Sequence, residues 1–188
     1  MLLQVLFTLC LYASLTVAQA CAPVHLIVAR GSFEAPGEGI SSSLSGSIKR
    51  AIPGTTSEAV DYPAVMPYSG SMAKGTANMK KAIAKYSQAC PQSSLVLIGY
   101  SQGGSVVMDA LCGGGGNPEI GPHTDGLTQE QGKHIKLALA FGEPRFVPGL
   151  PYDLGTNNKT SGVSCSAISR LQHHLRLPGL LYDAANNT

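Results

Sequence analysis

The stretch Gly99-Tyr100-Ser101-Gln102-Gly103 sets a serine between two glycines, after an apolar run over 93–100 and before a helix-like run over 102–112. This is the G-x-S-x-G pattern, a sharp turn from strand to helix that lifts a serine hydroxyl above the edge of a sheet. Glycines suit the flanking positions because bulkier residues would clash in so tight a turn. A serine held there can act as a nucleophile toward a carbonyl carbon if a base removes its proton. At the start of the following helix, the backbone N–H of Gln102 is placed to stabilise the oxyanion that such an attack creates. The chain holds 22 glycines, so the pentapeptide alone carries modest weight, and its position between a strand and a helix carries more.

The elements that must hold this turn can be read from the periodicity. The run VHLIVA over 24–29 reads as a buried strand and is followed by the glycine-rich loop RGSFEAPGEGI. Residues 41–51 read as a short helix and 57–64 (SEAVDYPA) as a second strand. Residues 69–90 place Met72, Thr76, Met79, Ile83 and Tyr86 at helical spacing, which predicts a helix with that face on the core. A second glycine-rich loop follows over 113–128. The run IKLALAFG over 135–142 then reads as a buried strand. Buried strands separated by helices predict a three-layer α/β/α sandwich around a central, mainly parallel sheet.

Composition narrows the class. The chain has 188 residues, 44% of them hydrophobic, enough for one domain with a core. Charged residues make up 13% and the net charge is +2, which excludes a nucleic-acid partner. Residues 1–20 lack charged side chains, are largely apolar and end in Ala18-Gln19-Ala20, the small-x-small pattern of a cleavage site. They are read as a secretion signal, leaving a single domain over 21–188 that is free of the membrane after cleavage. The mature chain keeps Cys21, Cys90, Cys112 and Cys165, an even number for an oxidising compartment, and so two disulfides with three connectivities open. No C-x-x-C pair or histidine at ligand spacing suggests a metal. Asn158-Lys159-Thr160 and Asn186-Asn187-Thr188 match the acceptor pattern for N-glycosylation.

The segments CAPVHLIVARGSFEAPGEGI, PGTTSEAVDYPA, SSLVLIGYSQGG, ALCGGGG and AFGEPRFVPGLPYDLGT, in this order, resemble the secreted cutinase and acetylxylan esterase family from Cys21 to about Ser169. The resemblance implies an α/β-hydrolase-like fold without a large lid, a monomer, no cofactor, and a Ser-His-Asp triad acting on plant cell-wall polymer esters. Ser101 matches the nucleophile. Ser32, in ARGS, matches the residue that completes the oxyanion hole with Gln102. The same resemblance implies disulfides Cys21–Cys90 and Cys112–Cys165. PGTTSEA, CGGGG and GLPYDLGT look like the acetylxylan esterase branch, and ARGS looks like the cutinase branch.

The remaining triad members are harder to match. The family pattern has an aspartate in a small disulfide loop and then a histidine, whereas this chain reads SRLQHHLRLPGLLYDAANNT. With SRLQ aligned, the loop cysteines fall on Leu175 and Tyr182 and the acid on Gly179. The substitutes in this stretch are Asp183 as acid and His173 or His174 as base, in reversed order relative to the family. One expectation is that 173–182 carry a shifted reading frame or a wrong splice junction. Another is that the chain is a catalytically impaired relative that binds polymer through the same cleft.

Overall fold

The computed structural model describes residues 21–151, 153, 154, 159 and 180–183. Residues 1–20, read above as a secretion signal, and the residues His173, His174 and Cys165 lie outside the described residues.

Among the described residues six strands form one sheet. In chain order the elements are β1 (Val24–Ala29), α1 (Ser42–Ala51), β2 (Thr56–Ala59), α2 (Tyr68–Ala89), β3 (Ser94–Tyr100), α3 (Gln102–Cys112), β4 (Gly113–Gly114), β5 (Thr124–Asp125), α4 (Gln129–Gly132), β6 (Ile135–Phe141), β7 (Asp153–Leu154) and β8 (Leu180–Asp183). The sheet order is β2-β1-β3-β6-β8-β7, and every pairing in it is parallel. β4 and β5 make a separate antiparallel pair in the glycine-rich loop.

Alternation along the central strands divides the core in two, because successive side chains in a strand point to opposite faces. Ile27, Ala29, Leu95 and Leu97 pack with Met79 and Ile83 of α2 and Val106, Val107 and Ala110 of α3. Leu26, Val28, Val96 and Ile98 pack on the other face with Leu44 and Ile48 of α1. The result is the expected three-layer sandwich. The α2 face expected from the sequence is the one that is buried: Met72, Thr76, Met79, Ile83 and Tyr86 are all in the interior.

Two elements differ from the sequence reading. The strand expected over 57–64 is only Thr56–Ala59. Beyond it, Val60 still donates to the Val28 carbonyl at 2.8 Å. Pro63 has no N–H for a ladder, and Ala64 turns to a φ of 55°. The strand IKLALAF is only partly buried: Ile135, Ala138 and Ala140 are buried, while Leu137, Leu139 and Phe141 are half-buried. The short strand β8 has no signal in the sequence reading.

A disulfide joins Cys21 to Cys90, with the two Cα atoms 5.4 Å apart and 69 positions separating them in sequence. It ties the approach to β1 to the end of α2, where the Ser93 hydroxyl also donates to the Ala22 carbonyl at 2.6 Å. Cys112 has no disulfide partner among the described residues, and burial pushes its thiol up to about 11. Closing so long a loop removes chain entropy from the unfolded state. Replacing Cys21 and Cys90 by serine is expected to cost roughly 4 kcal/mol, read as a lower urea midpoint.

Candidate active site

The loops that follow β1, β3 and β6 at the carboxyl ends of the parallel strands meet around Ser101, where open α/β sheets bind ligands. Ser101 sits between β3 and α3 with φ 53° and ψ −118°, a conformation that side chains other than glycine rarely adopt. Its N–H donates to the Phe141 carbonyl at 2.9 Å, and its own carbonyl accepts the N–H of Gly104 at 2.9 Å.

The turn closes because two neighbours lack side chains. A Cβ on Gly99 would lie 2.2 Å from the Gly103 carbonyl oxygen. A Cβ on Gly103 would lie 2.1 Å from the Ala29 carbonyl oxygen and 2.6 Å from that of Arg30. The first turn of α3 therefore rests directly on the end of β1, and this contact brings the Ser32 loop to the serine turn. Gly31 completes the approach, since a Cβ there would lie 2.7 Å from Cδ1 of Tyr100.

The loop after β1 is held by buried polar groups. Arg30 is 4% exposed; its Nε donates to the Glu34 carbonyl at 2.9 Å and its Nη2 to the Tyr62 carbonyl at 2.6 Å. Tyr62 returns a hydrogen bond to the Arg30 carbonyl, and burial holds its phenol well above the usual range. The Glu34 carboxylate accepts the N–H groups of Gly31 and Ile40. Within this frame the Ser32 hydroxyl oxygen is buried and has no hydrogen-bond partner among the described residues.

Gln102 plays two parts. Its backbone begins α3, and its fully buried side chain braces the loop after β2. Its Oε1 accepts from Ser71 Oγ at 2.9 Å, and its Nε2 donates to the Val65 carbonyl at 3.1 Å. Ser71 Oγ in turn accepts the Val65 N–H at 3.2 Å. Phe33 (φ 64°), Ala64 (φ 55°) and Ser101 are the three non-glycine residues of positive φ among the described residues, and all three lie here. Such conformations cost roughly 1 to 3 kcal/mol each and persist where surrounding bonds enforce them. The Phe33 N–H meets the Ala64 carbonyl at 2.7 Å, so two of them are joined.

Asp183 ends β8 in register with Phe141, whose carbonyl receives the Ser101 N–H. It thus occupies the same edge of the sheet as Ser101, two strands away in the order β3-β6-β8. His25, paired with Thr56 at the start of β1, and His134, just ahead of β6, lie toward the opposite edge. His123 faces Asp125 at 3.2 Å.

The residue pattern does not announce the brace formed by Arg30, Glu34, Tyr62 and Ser71. It also does not announce a buried cluster behind the turn. Arg145, 4% exposed, donates to Glu143 at 3.1 Å and to Asp109 at 2.8 Å, and Glu143 also accepts from Ser105, one helical turn after Ser101. The signals available in the sequence were a lone aspartate inside the apolar run of α3 and the acid-base pair in GEPR.

The cutinase family model matches residues 20–174. The chain belongs to the cutinase family. It is 33% identical over 172 residues to acetylxylan esterase 2 of Talaromyces purpureogenus, covering 83% of this chain and 73% of that protein. It is also 33% identical over 191 residues to cutinase 11 of Verticillium dahliae, covering 93% of this chain and 64% of the relative. With the acetylxylan esterase of Hypocrea jecorina it shares 34% identity and covers 57% of that protein's length, so it spans only part of several relatives. A solved acetyl xylan esterase structure superposes with a TM-score of 0.74 at 31% identity, covering 88% of this chain and 84% of that one.

The buried cluster of this cutinase-family chain sets an acid-range titration. Burial raises the Asp109 carboxyl to about 6, against the pull of Arg145. Because burial outweighs that pull, the folded state takes up a proton at Asp109 more readily than the unfolded chain does. Over the window from about 4 to about 6 the folded state binds more protons, and this group's contribution to unfolding free energy falls as pH rises. Asp109→Asn is expected to flatten that slope, measured as the urea midpoint across pH 4 to 7. Separately, Gly103→Ala is expected to cost about 2 kcal/mol or more by forcing α3 off β1.

Proposed function

We propose that the chain is a secreted, monomeric serine carboxylic-ester hydrolase that acts on plant cell-wall polymer esters, acetylated xylan or cutin, through an acyl-enzyme on Ser101. The observation that carries this reading is the convergence of a strained, N-cap Ser101, the first turn of α3 with no side-chain cap, and a buried Ser32 hydroxyl that has no partner among the described residues. The names of the relatives, acetylxylan esterase and cutinase, support the same chemistry. Among the described residues no helix is long and apolar enough to cross a membrane. Secretion rests on the leader-like residues 1–20.

In this mechanism Ser101 Oγ attacks the ester carbonyl. The negative charge that develops on the carbonyl oxygen lies between the Gln102 N–H and the Ser32 N–H and hydroxyl. These donors are preset by the packing of α3 on β1 and by the Arg30–Glu34 frame, so little reorganisation is needed as charge appears. Collapse of the tetrahedral intermediate expels the alcohol and leaves the acyl group on Ser101. Water then attacks this ester, and the acid product leaves.

A base must take the Ser101 proton, deliver it to the departing alcohol and later activate the water. His173 and His174 are the candidates for that role. Asp183 is the candidate acid, supported by its register partner Phe141, which also receives the Ser101 N–H. Parallel strands are about 4.8 Å apart, so two strand spacings set β8 roughly 10 Å from the serine turn.

Hydrolysis of p-nitrophenyl acetate by the secreted chain tests the reading. Ser101→Ala is expected to lower kcat by about 10⁴-fold or more. Turnover that survives the substitution would refute the assignment, and polymer binding without any turnover would favour a non-catalytic relative. Asp183→Asn is expected to lower kcat by about 10⁴-fold with KM little changed, because an acid of this kind orients its base without touching substrate. Wild-type kcat in that variant would mean the acid lies elsewhere.

A further inference from the structure

A pocket of about 270 Å³ opens between the start of α2, the first turns of α3 and the loop after β6. Pro67, Tyr68, Met72 and Ile120 give it apolar walls, and Ser105 and Arg145 are its polar members. The polar pair lies at the buried end, since Ser105 and Arg145 are closed to solvent while Pro67 is exposed and Tyr68 half-buried. The pocket is also tied to the reacting serine. The Ser105 N–H meets the Ser101 carbonyl at 3.3 Å, and four helical residues rise about 6 Å. Pro67 stands two residues after Val65, whose carbonyl accepts from the Gln102 side chain.

Arg145 is not used up by its carboxylates. Its Nε donates to Glu143 at 3.1 Å, and its Nη2 donates to Asp109 at 2.8 Å and to the Ser105 carbonyl at 3.3 Å. Nη1 has no hydrogen-bond partner among the described residues, and Arg145 lines the pocket. A guanidinium offers five N–H donors, and donors sealed from water without an acceptor are costly. A molecule that fills the pocket must therefore bring an oxygen to Nη1. An anion is a poor match, because the one positive charge already lies between two carboxylates and the exposed Glu119 adds a third at the pocket. A plain hydrocarbon chain is a poor match as well, because it would cover Nη1 without meeting it. A neutral ring with an apolar face and oxygens along its edge satisfies both the walls and the donor. The volume lies just below the roughly 300 Å³ at which small-molecule clefts begin, so there is room for one such ring.

Resting on the esterase reading above, we propose that this pocket is a sugar subsite: it holds one neutral pyranose ring of the polymer whose ester is presented to Ser101, with Arg145 Nη1 donating to a sugar oxygen and Tyr68 lying against the apolar face of the ring. Such a subsite selects a carbohydrate ester over a polyester of long-chain acids. It holds the polymer through a unit that carries no reacting bond.

Binding of xylotetraose, which contains no ester, to the unaltered protein is measured by titration calorimetry, with hexanoate as the rival ligand. Xylotetraose is expected to bind more tightly than hexanoate, and Tyr68→Ala is expected to weaken it by about tenfold. Tyr68→Phe keeps the ring face and is expected to bind within about twofold of the parent. Arg145→Lys would take the donor out of the pocket, but the residue sits among buried carboxylates and its loss can unfold the protein, so the Tyr68 pair decides. No xylotetraose binding by the folded protein, binding indifferent to Tyr68→Ala, or tighter binding of hexanoate would each overturn the proposal. The esterase reading fails separately. Xylotetraose binding with this dependence but no hydrolysis of p-nitrophenyl acetate would sink the esterase reading and leave the sugar subsite standing. Ser101-dependent hydrolysis without xylotetraose binding would sink the subsite alone.

Discussion

The approach of the first turn of α3 to the end of β1 is the constraint on which the site depends. Backbone meets backbone there, with the Gly103 Cα against the carbonyls of Ala29 and Arg30 and the Gly99 Cα against Gly103. Side chains cannot mediate a contact this close, so it is set by two glycines and by the parallel register of β1 on β3. That register pairs Ala29 with Gly99 and so brings the two loops out of the sheet at the same level. The position of Ser32 relative to Ser101 follows from it.

Around that contact, buried polar groups do what a hydrophobic core cannot. Apolar packing is nondirectional and tolerates small shifts, whereas Arg30 and Gln102 make directional bonds from sites almost closed to water. Buried donors left without partners are costly, so these groups penalise any movement of the loops they bind. The strain at Phe33, Ala64 and Ser101 is maintained in this way. The Ser32 hydroxyl is the exception, a buried oxygen at the centre of the frame that none of the described groups satisfies.

Much of this was legible in the sequence, and the reasons differ by element. β1, β3 and α3 are long apolar or periodic runs whose burial is dictated by composition, and the expected bounds of β1 and α3 match those observed. The helix face of α2 was legible for the same reason. The end of β2 was misjudged because the residues after Ala59 are still apolar apart from Asp61, and only tertiary contacts tell that Tyr62 turns inward to meet Arg30. β8 was not legible at all, since the four residues between Gly179 and Ala184 gain strand geometry from β6 and β7 beside them. The serine turn was read from its motif, while the groups that hold it are scattered in sequence from 30 to 145 and have no local pattern to betray them.

The pairing of β8 with β6 has a consequence for how the chain tolerates change. Phe141 is keyed by its carbonyl to Ser101 and by register to Asp183, so it acts as a common reference mark for both. A slip of β8 by one residue would carry Asp183 about 3.3 Å along the strand, out of register with Phe141. A change that slips β8 along β6 would therefore take Asp183 off the level of the serine turn while leaving the pairings among β2, β1, β3 and β6 intact.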